Sequence, residues 1–142
     1  GIDVLAAHLG VGEQVADLTK RAMEGGLPFH EALAARLELM KPSRSQVESC
    51  LASHPANFSE GAAELFTLLR NRGIATYLVS GGFRQMIRPV AEALKLDPVK
   101  QVFANSILFD DAGEYAGFDA EEPTSRAGGK AAVVAKLKNE HG

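Results

Sequence analysis

Ile74-Ala75-Thr76-Tyr77-Leu78-Val79-Ser80-Gly81-Gly82-Phe83-Arg84 is the stretch that decides the reading of this chain. Residues 74–79 are mostly apolar and rich in β-branched and aromatic types, and they run without alternation into a serine and two glycines, after which a helical pattern begins. The pattern predicts a buried parallel strand, a tight turn and a helix. At such a turn the first amides of the helix lack an intrahelical partner, its dipole presents a positive end, and glycines admit an anion close to the main chain. The stretch therefore reads as an anion site, for phosphate, with the Ser80 hydroxyl as an added donor. Serine and glycine also serve such turns for geometry alone.

Outward from that stretch, Ser59 as N-cap, Glu60, the stripe Leu65, Phe66, Leu68 and Leu69, basic Arg70 and Arg72, and Gly73 spell a preceding helix. Beyond it, Met86, Ile87, Val90 and Leu94 mark the buried face of the next helix, in which Pro89 fits badly because it removes one backbone bond. Residues 101–104 read as a second strand. Helix, strand, helix, strand in this rhythm predicts an α/β layer with a parallel sheet. Residues 106–109 and 114–118 flank Asp110-Asp111-Ala112-Gly113 as a β-hairpin. A loop then leads to Gly128-Gly129-Lys130 and a last helix. A lysine in the first turn of a helix opposes the dipole, which singles out Lys130, although a solvated surface lysine would look the same.

Residues 1–57 have a different character. Four short apolar stripes are separated by Gly10, Gly25-Gly26 and Pro42 and closed before Pro55, with Ser43 and Gln46 at capping-box spacing, so a small helical bundle is predicted. Arg36 lies seven positions after Phe29 and thus on the same line as Phe29, Leu33 and Met40. It either lays its stem on the bundle with its head in water, or lines a cavity where the guanidinium awaits a carboxylate or phosphate, with Met23 and Phe29 as the apolar wall.

The chain has 142 residues, 46% of them hydrophobic, 6% aromatic and none tryptophan, enough for one ordinary core with a subdomain. A net charge of -3 with mixed signs argues against nucleic acid as partner. No apolar run approaches the roughly 20 residues of a membrane span, and no signal peptide is visible. The single Cys50 makes no internal disulfide, and no Cys/His spacing along the chain suggests zinc. His8, His30, His54 and His141 fall on exposed-looking helical positions without an evident role. These features are compatible with a cytoplasmic protein.

The residues carry a family resemblance. The runs Leu78-Val79-Ser80-Gly81-Gly82-Phe83-Arg84, Arg21-Ala22-Met23-Glu24-Gly25-Gly26-Leu27-Pro28-Phe29, Val102-Phe103-Ala104-Asn105, Gly113-Glu114-Tyr115-Ala116-Gly117-Phe118-Asp119 and Gly128-Gly129-Lys130 resemble, in order and over nearly the whole chain, the phosphoserine phosphatases of the haloacid dehalogenase superfamily. The resemblance implies an α/β fold. It would be a partial Rossmann-like core over residues 58–142, with an inserted helical-bundle cap over residues 1–57 and a β-hairpin. It also implies Mg2+-dependent hydrolysis of O-phospho-L-serine to L-serine and phosphate, in serine biosynthesis. By the same resemblance Ser80, Gly81 and Gly82 bind the phosphoryl group and Lys130 neutralises it, giving Ser80 and Lys130 catalytic roles. Arg36 receives the substrate carboxylate, and Met23 and Phe29 close over it.

Two of that family's motifs are not in this sequence. An Asp-x-Asp-x-Thr nucleophile motif would lie before Gly1, and a Gly-Asp-Gly strand with the remaining metal carboxylates after Gly142. Asp3, Asp110 and Asp111 end no core strand, so no nucleophile and no metal ligand is assigned. Covalent phosphoryl transfer needs an attacking carboxylate, and losing a nucleophile costs on the order of a million-fold in rate. The expectation is a piece of a longer phosphatase, inactive alone, with an open sheet edge beside the strand that ends at Ser80 and a consequent tendency to be molten or to aggregate. A non-catalytic module binding phosphate or a phosphorylated amino acid, and an interaction fragment pairing through its open edge, are the alternatives. Homodimer formation is left open.

Overall fold

The computed structural model describes residues 1–142. Its first third is helical: α1 (Ile2–His8), α2 (Gly12–Met23), α3 (Phe29–Met40) and α4 (Arg44–Ser53). The start of α4 is fixed by the capping box that the spacing predicts. The Ser43 hydroxyl accepts from the Gln46 amide, and the Gln46 side chain accepts from the Ser43 amide. Leu5, Val15, Leu33, Leu37, Val47 and Cys50 are buried together, and their cluster continues into Phe83 and Ile107 from the second part of the chain. The helices therefore share one core with a strand end and the hairpin.

The second part comprises α5 (Ala62–Asn71), β1 (Leu78–Phe83), α6 (Arg84–Ala93), β2 (Val102–Asn105), β3 (Ile107–Phe109), β4 (Tyr115–Phe118), a 3₁₀ turn (Pro123–Ser125) and α7 (Gly129–His141). β1 and β2 are parallel, with Leu78 opposite Val102 and Val79 opposite Phe103. Ala91, Leu94, Leu96, Val102 and Ala104 form a smaller core beneath them. β3 and β4 make the antiparallel hairpin. In its turn the Asp110 carboxylate accepts from the amides of Ala112 and Glu114.

Two expectations are corrected. The strand lies four residues later than 74–79, because pairing with β2 rather than local composition sets its limits, and it carries Ser80, Gly81 and Gly82 through an irregularity in the register between Val79 and Phe83. Those glycines end a strand; they do not open a helix. α5 begins at Ala62 behind Gly61 in a left-handed conformation, since the Ser59 carbonyl is used in a turn that accepts from the Ala62 amide and delays the helix. As the pattern of Met86, Ile87, Val90 and Leu94 predicts, α6 contains Pro89, the sixth of its ten residues. The helix is thus one bond poorer at the Gln85 carbonyl, whose side chain is instead occupied with both polar groups of Ile107.

Candidate active site

The two glycine-bearing segments meet. A cleft of about 340 Å³ is lined by Phe29, Gly81, Thr124 and residues 126–131. Phe29 is the first residue of α3, Gly81 comes from the irregular part of β1, and the rest come from the loop that turns into α7. A methyl group placed on Gly81 would stand 3.9 Å from Cε of Lys130 and 4.0 Å from Cζ of Phe29, which measures how closely the three approach.

The helix end facing this cleft belongs to α7. Gly128 holds the left-handed N-cap conformation (φ 73°) that lets the chain swing into the helix. Gly129 donates to the Arg126 carbonyl and Ala132 to the Gly128 carbonyl, while the amides of Lys130 and Ala131 have no acceptor. Two free amides, the positive end of a 13-residue helix and the cations of Arg126 and Lys130 thus face one space. That combination favours an anion with several acceptor oxygens. A larger concavity of about 750 Å³ between α2 and α3 carries Glu13, Asp17 and Glu38 and would repel the same anion.

The back of the cleft is held by a buried network that sequence reasoning assigned no role. Asn105, fully buried at the end of β2, donates to the Gly81 carbonyl at 3.0 Å and accepts from the Thr124 hydroxyl at 3.0 Å. It ties the β1 glycines to the 3₁₀ turn before α7. A polar residue ending an apolar strand run was the available signal. At the mouth of the same loop Arg84 pairs with Glu122 at 2.8 Å and donates to the Pro98 carbonyl, in a largely sheltered position.

The remaining predicted residues fall as follows. Lys130, Gly81 and Phe29 are brought together. Gly82 and Ser80 lie beside them, but the Ser80 oxygen accepts from the Gly82 amide at 3.0 Å, so the serine first braces its own bend, keeping only its hydroxyl hydrogen to offer. Met23 is 84% exposed on the last turn of α2 and is not among the residues lining the cleft of Gly81 and Lys130.

Arg36 does not send its head to water, as the plainer expectation had it. It is 7% exposed, its Nε donates to the Ala32 carbonyl and its Nη1 to the Thr19 hydroxyl. Burial lowers its pKa from the ordinary arginine value, with the Asp3 charge opposing. No carboxylate is in salt-bridge contact with it. Nη2 makes no hydrogen bond, while no fully buried side-chain nitrogen or oxygen lacks a partner, so that nitrogen retains an opening. Arg36 is not among the residues lining the cleft of Gly81 and Lys130; two turns of α3, roughly 10 Å, separate it from Phe29.

A hard cation such as Mg2+ takes oxygen ligands and usually one or two carboxylates. The lining of the cleft contains no carboxylate, and its one side-chain oxygen, that of Thr124, donates to Asn105. The residues present here do not fit such an ion.

Residues 6–142 match the haloacid dehalogenase-like hydrolase family, and the chain belongs to it. Hydrolases of that family are generally metal-dependent. The chain is 54% identical over 138 residues to a chloroplastic phosphoserine phosphatase of Arabidopsis thaliana, covering 97% of this chain and 46% of the relative. It is 47% identical over 138 residues to a phosphoserine phosphatase of Rattus norvegicus, covering 97% of this chain and 61% of the relative. A solved substrate-bound phosphoserine phosphatase complex is similar with a TM-score of 0.78 and 32% identity over 99% of this chain and 64% of that one. The α/β fold is that of these phosphatases. The chain spans about half to three fifths of the length of the curated relatives it matches.

Proposed function

We propose that this chain carries the phosphate-facing and substrate-recognising part of a phosphomonoester hydrolase that converts O-phospho-L-serine to L-serine and phosphate. The observation that carries the reading is the convergence of Gly81, Lys130 and the two free amides of α7 on one cleft free of carboxylates. The relatives at 54% and 47% identity supply the substrate. In this reading the phosphoryl oxygens sit between the Gly81 main chain and the first turn of α7, and Lys130 neutralises charge as it builds on them. Arg36, a buried cation with only neutral acceptors, receives the substrate carboxylate. Residues 1–57 act as the cap and residues 58–142 as the core. Mg2+ is the metal in the complete protein, held by residues outside the cleft described here. A cytoplasmic location and a place in serine biosynthesis go with the same reading.

Hydrolysis also requires a nucleophile. None of the cleft-lining residues can attack phosphorus as a carboxylate does, so these 142 residues by themselves bind phosphoserine without turning it over.

Calorimetric titration of the chain with phosphoserine tests the binding half. Lys130→Met removes a charge-assisted contact worth about 1.5–3 kcal/mol, roughly a ten- to hundredfold loss of affinity. Arg36→Met should weaken phosphoserine while leaving inorganic phosphate unchanged. Equal affinity in all three proteins would overturn the assignment. Phosphate release from phosphoserine by the 142-residue chain alone would overturn the second half.

A further inference from the structure

Away from the cleft, the fold assembles three side chains that are far apart in sequence. His8 lies in the last turn of α1, Cys50 in α4, and His54 is the residue that caps the C-terminal end of α4. Cys50 and His54 are four apart and therefore on one helical face. One ring nitrogen of each histidine and the Cys50 sulfur all lie within 4.8 Å of one another. The sulfur is 3.9 Å from Nδ1 of His54, and the two imidazoles meet edge to face with centroids 6.0 Å apart.

We propose that His8, Cys50 and His54 form a binding site for a divalent transition-metal ion of the zinc type, clamping α1 to α4. The donor set decides the class of ion. One thiolate and two imidazoles suit zinc and its neighbours, whereas the absence of a carboxylate from the trio makes it a poor site for Mg2+ or Ca2+. Tetrahedral zinc holds nitrogen at about 2.0–2.1 Å and sulfur at about 2.3 Å, which places ligand atoms roughly 3.3–3.6 Å from each other. The trio is already close to that spacing. Cys50 is fully buried in the helical core and fixed, His8 is exposed, and exposed His54 has only its contact with the Cys50 carbonyl to exchange for the ion, leaving a fourth position for water.

Burial raises the Cys50 pKa, so the thiol holds its proton without metal; ligation breaks the S–H bond, forms the S–metal bond and releases the proton to solvent. A plainer role accounts for part of this arrangement. Nδ1 of His54 is 2.9 Å from the Cys50 carbonyl, as a cap of α4 requires. That contact explains His54 but not the approach of His8 from another helix. The sequence rule that looks for closely spaced Cys and His misses the trio, because Cys50 lies 42 positions after His8.

The test is titration of the reduced, metal-free chain with Co2+, whose ligand-field and thiolate charge-transfer absorptions report geometry and sulfur ligation. One equivalent should bind with a tetrahedral spectrum that Zn2+ abolishes. Cys50→Ala should remove the charge-transfer band. His8→Gln, an exposed substitution that leaves the core intact, should weaken binding at least as much as loss of an outer-shell partner does, roughly tenfold. His30→Gln should change nothing. Absence of the thiolate band in the unsubstituted chain, or equal cobalt affinity in His8→Gln, would overturn the site.

Discussion

The chain contains two glycine pairs that look alike on paper and behave differently in space. Gly81-Gly82 continues a strand through a break in its register, and the helix that follows starts only at Arg84. Gly128-Gly129 is a true helix entrance, with a left-handed N-cap and two unclaimed amides behind it. The strand pair supplies space for a ligand, and the helix pair supplies charge and donors. A glycine pair therefore announces close approach, while which partner comes close is settled by the partner.

The contrast breaks most visibly at Gly129. A methyl group there would lie 1.9 Å from the Pro123 carbonyl oxygen and 2.9 Å from Cα of Thr124, both main-chain atoms that cannot step aside. Gly129→Ala should cost about 3 kcal/mol or more, as overpacking of a closed site does, and a urea melt would show it. Next comes Asn105→Ala, which strands the buried Thr124 hydroxyl and unties the Gly81 carbonyl. Its expected cost is about 2 kcal/mol, with weaker phosphoserine binding in calorimetry because both walls of the cleft loosen. Gly128→Ala meets no atom within 4 Å but forces a side chain into the left-handed region, at about 1 kcal/mol. Gly81→Ala stands at the other end of the scale. Its methyl finds ordinary van der Waals distances, so stability should move by less than about 0.5 kcal/mol, yet it projects between Lys130 and Phe29 and should weaken phosphate binding. An unfolding cost at Gly81 as large as that at Gly129 would erase the distinction between the two pairs.

What the sequence made legible follows the range of the forces involved. The capping box at Ser43, the hairpin turn at Gly113 and the helix entrance at Gly128 are local, and spacing reveals them. Arg36 was legible as an anomaly because a charge on an apolar stripe needs an explanation wherever it sits. The limits of β1 were not, since they depend on which residues of β2 lie opposite. Asn105 and Thr124 escaped for the same reason: their roles exist only once a strand end and a loop 19 residues later are side by side. The carboxylate-free lining of the cleft belongs to no single segment, and only the assembled loop, strand and helix display it.

One further property follows from α5. None of its ten residues is buried, Leu65 and Leu68 are about half exposed, and only Phe66 packs an apolar side chain on the smaller core, with Arg70 donating to the Leu94 carbonyl beside it. A helix of that length has little intrinsic persistence in water. On warming, this rung should detach before any other, so amide hydrogens between Ala62 and Asn71 would exchange earliest, and a protease would make its first cut there while the four N-terminal helices still hold.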